Sequence, residues 1–195
     1  ESIATPPAPP PKPHLRVDEY LAGERLSEWR HEYIDGQVYA MVGASRPHNL
    51  IVNALAVALT PAARRQRCQL FTSDMKLRLD FAGQQVFYYP DLLLSCDTHD
   101  RDDYFCRHPC LLVEVLSDST ERIDRREKLL AYQILPSLQA YWLVAQDAPR
   151  IEVYRRAQGW LPDHYTAGQT LTVDCLGLEL AVDEVYQDLD WSAHA

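Results

Sequence analysis

The sequence predicts an α/β fold, a central mixed β-sheet flanked by α-helices, and three observations carry that prediction. Leu111–Leu116 and Ala140–Ala145 are nearly continuous apolar runs, as expected of strands covered on both faces. Between them lies Glu121–Leu135, a helix-length segment opened by Ser117–Thr120 and stopped by Pro136. Upstream, Met75, Leu77 and Leu79 alternate with Lys76, Arg78 and Asp80, the period of a half-buried strand.

The elements follow in order. Residues 1–14 hold six prolines (Pro6, Pro7, Pro9, Pro10, Pro11, Pro13) and no apolar period, so they read as a disordered, extended arm outside the fold. They lack the basic start and apolar run of a secretory signal. Residues 15–195 form one domain, a size that a single core can support. Val17–Arg30 spaces Tyr20, Leu21, Leu26 and Trp29 among charged residues and predicts a short helix. His31–Ile34 and Gln37–Val42 flank Asp35-Gly36, a strong hairpin signal because both turn residues need positive φ. Ser45 as N-cap and Pro47 in the first turn start a helix over about 47–63, with Ile51, Ala54, Leu55 and Ala58 at helical spacing. Val86–Tyr89 and Leu92–Leu94 surround Pro90-Asp91. Ile151–Arg155 and Trp160–Tyr165 form a hairpin around Gln158-Gly159, short strands follow at Leu171–Val173 and Leu178–Leu180, and Asp183–Tyr186 makes a last helical turn.

Composition narrows the function classes. No apolar stretch approaches the roughly 20 residues that span a bilayer, so the reading is of a soluble protein. The five cysteines (Cys68, Cys96, Cys106, Cys110, Cys175) are odd in number and read as reduced thiols of a cytoplasmic protein. A net charge of −9 argues against a protein that coats nucleic acid through bulk electrostatics alone, but not against an enzyme whose acidic site a metal neutralises. The basic clusters Arg64, Arg65, Arg67 and Arg122, Arg125, Arg126, Lys128 read either as phosphate-facing or as solvated helix faces. No Gly-rich phosphate loop and no Ser flanked by glycines points to a nucleotide hydrolase or an esterase.

The chemistry concentrates on two carboxylates. Glu114 interrupts the apolar run Leu111–Leu116, where a charge is costly unless paired or bound to a metal, and it shares a strand face with Leu112 and Leu116. Asp91 sits in a second apolar run beside Pro90, which marks that strand as bent or interrupted. Carboxylates on neighbouring strands make a hard-oxygen site suited to Mg²⁺ or Mn²⁺. Lys128, in the following helix with Asp124 and Arg125 on its face, is either the cation completing that site or half of a surface pair with Asp124. Cys96, His99, Cys106, His108 and Cys110 lack the paired spacing of structural zinc sites, and Asp97–Asp103 lacks the Gly and closing Glu of a calcium loop, so both segments read as ordinary loop.

Tyr89-Pro90-Asp91, Cys96-Asp97, Arg101-Asp102-Asp103, Val113-Glu114-Val115-Leu116-Ser117 and Ser119-Thr120-Glu121 together resemble the Uma family of putative restriction endonucleases. Glu127-Lys128-Leu129, Ala131-Tyr132, Pro136-Ser137-Leu138-Gln139, the Tyr33-Ile34-Asp35-Gly36 hairpin and His48-Asn49 match as well, so the resemblance runs from about Tyr20 to Trp191. It implies the restriction-endonuclease-like fold of the PD-(D/E)xK nuclease superfamily. It also implies a metal held by Asp91 and Glu114 with the backbone carbonyl of Val115 nearby, and Glu32 and His48 as polar groups that join the site. One departure stands out. Leu116 occupies the position two after the glutamate where the superfamily carries its lysine, and Lys128 is the expected substitute. The implied activity is Mg²⁺- or Mn²⁺-dependent hydrolysis of phosphodiester bonds in DNA, by a homodimer. The alternative is a module that keeps the nuclease fold without turnover and binds nucleic acid or a protein partner.

Overall fold

The computed structural model describes residues 13–118 and 120–194, so the proline-rich arm lies outside the described residues except for Pro13 and His14. Helix α1 (Val17–Leu26) starts where Glu19 accepts a hydrogen bond from the Arg16 amide at 2.9 Å, a first-turn carboxylate satisfying a free N–H. It ends four residues before the predicted Arg30, because Ser27 takes an extended conformation. Buried Tyr20 donates to the carbonyl of His31 at 2.6 Å and ties α1 to strand β1 (His31–Ile34). The hairpin to β2 (Gln37–Ala40) turns through Asp35 and Gly36 at φ 43° and 86°, as the Asp-Gly pair predicts.

Helix α2 (Arg46–Arg65) begins with Ser45 Oγ accepting from the His48 amide at 3.2 Å and tolerates Pro61 in its interior. Its buried side, Ile51, Val52, Leu55, Leu59, Ala62 and Ala63, packs on the sheet that follows. That sheet uses β3 (Gln69–Thr72), β6 (Leu92–Ser95), β8 (Leu111–Val115), β9 (Ala140–Val144), β10 (Arg150–Arg155) and β11 (Pro162–Thr166) in the order β11-β10-β9-β8-β6-β3. It is mixed: β8 and β9 run parallel, while the other neighbours are antiparallel. A second sheet, β2-β1-β5-β4-β7, adds β4 (Lys76–Phe81), β5 (Gln84–Tyr88) and the two-residue β7 (Phe105–Cys106). Strands β12 (Thr170–Val173) and β13 (Leu178–Ala181) pair with each other before the short helix α5 (Val182–Tyr186).

The crossover from β8 to β9 is not a uniform helix. It runs as α3 (Glu121–Ile123), a π-helical stretch Asp124–Lys128, then α4 (Leu129–Gln133). Strand β8 divides the core. Leu111, Val113 and Val115 face the layer containing α2 and α5, whereas Leu112 and Leu116 face the layer containing Tyr132 and Leu135. Trp142 is fully buried, in line with its place in an apolar run. Among the described residues no helix is long and apolar enough to cross a membrane.

The cysteines correct the sequence reading. Four of the five expected thiols are paired, Cys68 with Cys96 and Cys110 with Cys175, and only Cys106 is free and buried. The partners stand 28 and 65 residues apart, so only the fold, which brings the end of α2, the end of β6, the start of β8 and the β12–β13 turn together, reveals them.

Candidate active site

Asp91 sits between Pro90 and the first residue of β6, and Glu114 is the fourth residue of β8. Because β6 and β8 are antiparallel, with Leu92 opposite Val113, the two carboxylates meet at one end of the strand pair. Asp91 Oδ2 accepts the Val115 amide at 2.7 Å, and Asp91 Oδ1 lies 3.1 Å from His48 Nε2. The start of α2 thus delivers His48 to Asp91. Glu114 is buried, and Lys128 Nζ at 3.2 Å and the Tyr132 hydroxyl at 3.1 Å both donate to its Oε1.

Lys128 is buried among acids, 3.3 Å from Asp124 Oδ1 and 3.6 Å from Glu32 Oε1. Glu32 comes from β1, and its Oε1 also accepts the Tyr89 amide at 3.2 Å. The surface-pair reading of Asp124 and Lys128 therefore fails: both are at most 6% exposed and turn inward. The π-helical stretch that begins at Asp124 and ends at Lys128 brings both toward Glu114, and such local widening is frequent at functional sites.

The electrostatics follow from four carboxylates, Glu32, Asp91, Glu114 and Asp124, around one lysine and one histidine. Burial, with like charge from Asp91, Asp124 and Glu32, pushes the Glu114 carboxyl well above its usual range against the pull of Lys128. Burial likewise raises Asp124, opposed by Lys128 and by a hydrogen bond from Thr120. Burial alone would lower Lys128, but Glu114, Glu32 and Asp124 outweigh it and hold the ammonium well above its ordinary value. A cluster of mutually perturbed groups in a cleft is where acid–base or metal chemistry is usually found.

A cavity of about 460 Å³ opens over this cluster, lined by Glu32, His48, Asp91, Glu114, Val115 and Lys128, with Asp124. The six residues singled out from sequence thus line one cleft. Val115 shows its amide engaged with Asp91, as given above. Sequence reasoning missed Asp124 and Tyr132 as members; the signals were the i, i+4 spacing of Asp124 to Lys128 and the Ala131-Tyr132 pair. The basic cluster Arg64, Arg65, Arg67 is exposed at the end of α2 away from His48, and Arg125 is spent on Glu121 and Glu152. The Asp97–Asp103 segment closes on itself: Asp100 accepts the amides of Arg107 and His108, and His108 lies 2.9 Å from Asp97.

The donor set suits a hard divalent cation. Mg²⁺ is commonly held by one or two carboxylates while it keeps several waters, and Asp91 with Glu114 offer that number. Among the described residues no group of three or more His, Cys, Asp or Glu is arranged to hold an ion, so the fit is to a two-carboxylate, water-rich site and not to a closed cage. The acidic excess around Lys128 is the observation that favours a further cation.

A mixed α/β fold with a carboxylate–lysine cluster at the end of two core strands belongs to the nuclease-fold class. The chain belongs to the Uma2 family: that family model, described as "Putative restriction endonuclease", matches residues 17–183. An uncharacterized protein of Synechocystis sp. (strain ATCC 27184 / PCC 6803 / Kazusa) is 38% identical over 182 residues, covering 92% of this chain and 95% of that relative. A second uncharacterized protein of the same organism is 30% identical over 152 residues, covering 75% of this chain and 85% of its own length. The crystal structure of a putative nuclease belonging to DUF820 from Anabaena variabilis ATCC 29413 superposes with a TM-score of 0.68 at 18% identity, covering 87% of this chain and 96% of that one; it supports the fold.

Proposed function

We propose that this protein is a Mg²⁺- or Mn²⁺-dependent endonuclease that hydrolyses phosphodiester bonds in DNA. The observation that carries the reading is Lys128: with Leu116 in the position two after the glutamate, the cation reaches Glu114 from the next helix at 3.2 Å. Asp91 and Glu114 supply carboxylate oxygens to the ion, with the Val115 carbonyl as a neutral third donor. When bound, Mg²⁺ or Mn²⁺ supplies Lewis-acid stabilisation of the phosphoryl group and acidifies a water. Lys128 positions the attacking water and offsets charge developing on the phosphate. His48 holds Asp91 in orientation, and Glu32 steers the Lys128 ammonium. We further propose cytoplasmic location and a twofold dimer, since cutting both strands of a duplex at one place calls for two such centres.

The test is incubation of closed-circular DNA, single-stranded DNA and RNA with the protein and Mg²⁺ or Mn²⁺. Cleavage that stops with EDTA and in Glu114→Ala supports the reading. A folded wild type that binds Mn²⁺ yet cuts none of the three substrates supports the non-cutting binding module instead.

A further inference from the structure

Four cysteines that are far apart in sequence meet at one point. Cys68 follows α2, Cys96 follows β6, Cys110 precedes β8, and Cys175 lies in the β12–β13 turn. The two disulfides also touch each other: Cys96 Sγ lies 3.6 Å from Cys110 Sγ. Neither sulfur carries a proton in that state, so this is packing and not a hydrogen bond. That contact joins the two pairs into one cluster of four sulfurs, which as disulfides are not arranged to hold an ion. A tetrahedral ion with zinc–sulfur bonds of ~2.3 Å has sulfur–sulfur edges of about 3.8 Å, close to the one contact of 3.6 Å between Cys96 and Cys110.

The setting suits a ligand. Cys68 and Cys110 are 7% and 5% exposed, while Cys96 is solvent-exposed, so the cluster is walled by the core on one side and open on the other. Its place in the fold is also informative. Helix α2 carries His48 near its start and Cys68 beyond its end. Strand β6 lies between Asp91 and Cys96, and Cys110 immediately precedes β8, which holds Glu114. Three of the elements that present the candidate active site, α2, β6 and β8, each have a cysteine at or beyond the opposite end.

We propose that, with both disulfides reduced, Cys68, Cys96, Cys110 and Cys175 form a tetrathiolate site for a thiophilic divalent cation, with Zn²⁺ as the probe. Each disulfide takes two electrons and two protons from a dithiol reductant, which closes to its own cyclic disulfide, and yields two thiols. Zn²⁺ then displaces the four thiol protons and is held by four thiolates. The ion does the work of the two disulfides, clamping the far ends of α2, β6 and β8 in a reducing compartment where disulfides do not persist. The paired local spacing typical of zinc ligands is absent because the ligands come from four separate segments.

The test is to reduce the full chain, confirm by thiol titration that the disulfides are open, add Zn²⁺, remove the excess, and measure bound metal and thermal unfolding. The expected result is about one zinc per chain, a raised Tm for the zinc-loaded reduced protein, and tetrahedral thiolate bands on Co²⁺ replacement. Binding is lost in Cys96→Ser, at the exposed ligand, and kept in Cys106→Ser and Glu114→Ala. The Co²⁺ spectrum of the wild type needs no variant to fold. A reduced, folded chain that holds no zinc, a Co²⁺ spectrum without thiolate bands, a reduced chain that unfolds and is not restored by zinc, or zinc that leaves with Glu114→Ala and stays in Cys96→Ser overturns the proposal.

Discussion

Lys128 Nζ lies 3.2 Å from Glu114 Oε1, although the two residues sit on different elements 14 positions apart. The same ammonium reaches Asp124 and Glu32, so one cation holds three acids together inside the fold. This arrangement fixes what substitutions there should do.

Lys128→Met keeps most of the side-chain volume and removes the charge. Breaking a buried ion pair from one side costs roughly 3–5 kcal/mol, because the partner's charge is left uncompensated. We expect a loss of that size by urea unfolding in the absence of metal, part of it recovered by added Mg²⁺, together with loss of cleavage. A variant as stable as wild type without metal contradicts this role for Lys128.

The raised carboxyls give a pH dependence with a definite sign. Folded Glu114 and Asp124 hold their protons to higher pH than in the unfolded chain. Between the ordinary and the raised values the folded state therefore binds more protons. Their contribution is fully present below the ordinary carboxylate pKa and is lost as pH rises through the raised values. The metal-free protein should unfold at progressively lower urea as pH rises from the ordinary carboxylate range through the raised values, and Glu114→Gln should flatten that fall. Divalent cation opposes the loss, since it binds the ionised form. A metal-free wild type that gains stability over this window would show that the cluster does not govern the profile.

Asp91 has two separable tasks. Its Oδ2 satisfies the Val115 amide at 2.7 Å, and its charge serves the ion. Asp91→Ala leaves a core-strand N–H without its acceptor, at a cost of about 1–3 kcal/mol. Asp91→Asn keeps an acceptor oxygen and should lose little stability while losing metal affinity and cleavage. Thermal unfolding beside calorimetric titration with Mn²⁺ separates the two, and equal metal affinity in Asp91→Asn and wild type would exclude Asp91 as a ligand.

Ser45 links the helix start to the site, since its Oγ accepts the His48 amide at 3.2 Å. Ser45→Ala should cost about 1 kcal/mol of stability, the usual value of an N-cap, with a smaller fall in cleavage than His48→Ala. Cleavage rates of the two variants under saturating metal check the order; a larger loss in Ser45→Ala would contradict it.

Much of the fold was legible because it follows local rules. Asp35-Gly36 demanded its hairpin, Ser45 and Pro47 started α2, and the apolar runs at β8 and β9 announced strands covered on both faces. Glu114 was readable for the same reason, as a charge where burial makes charges costly. What depended on distant segments was not readable. The π-helical stretch at Asp124–Lys128 follows no periodicity that separates it from an α-helix, so Asp124 looked like half of a solvated pair. β7 is two residues long, too short for an alternating pattern. The cysteine pairs join residues that only the packing of α2, β6, β8 and the β12–β13 turn brings together. Lys128 lay between these cases: its presence in the chain was plain, but its inward direction needed the fold.

The most direct test of the central claim is Mn²⁺ titration of the protein, followed by calorimetry, for wild type and Glu114→Gln side by side. Mn²⁺ favours hard oxygen donors, so it reports on the carboxylates and not on the cysteine cluster. Wild type should bind Mn²⁺ in the cleft, with affinity falling at least about tenfold in Glu114→Gln, the loss expected when a charged ligand is neutralised. Equal binding by the two proteins, or none by a folded wild type, would contradict the assignment of Asp91 and Glu114 as a metal site.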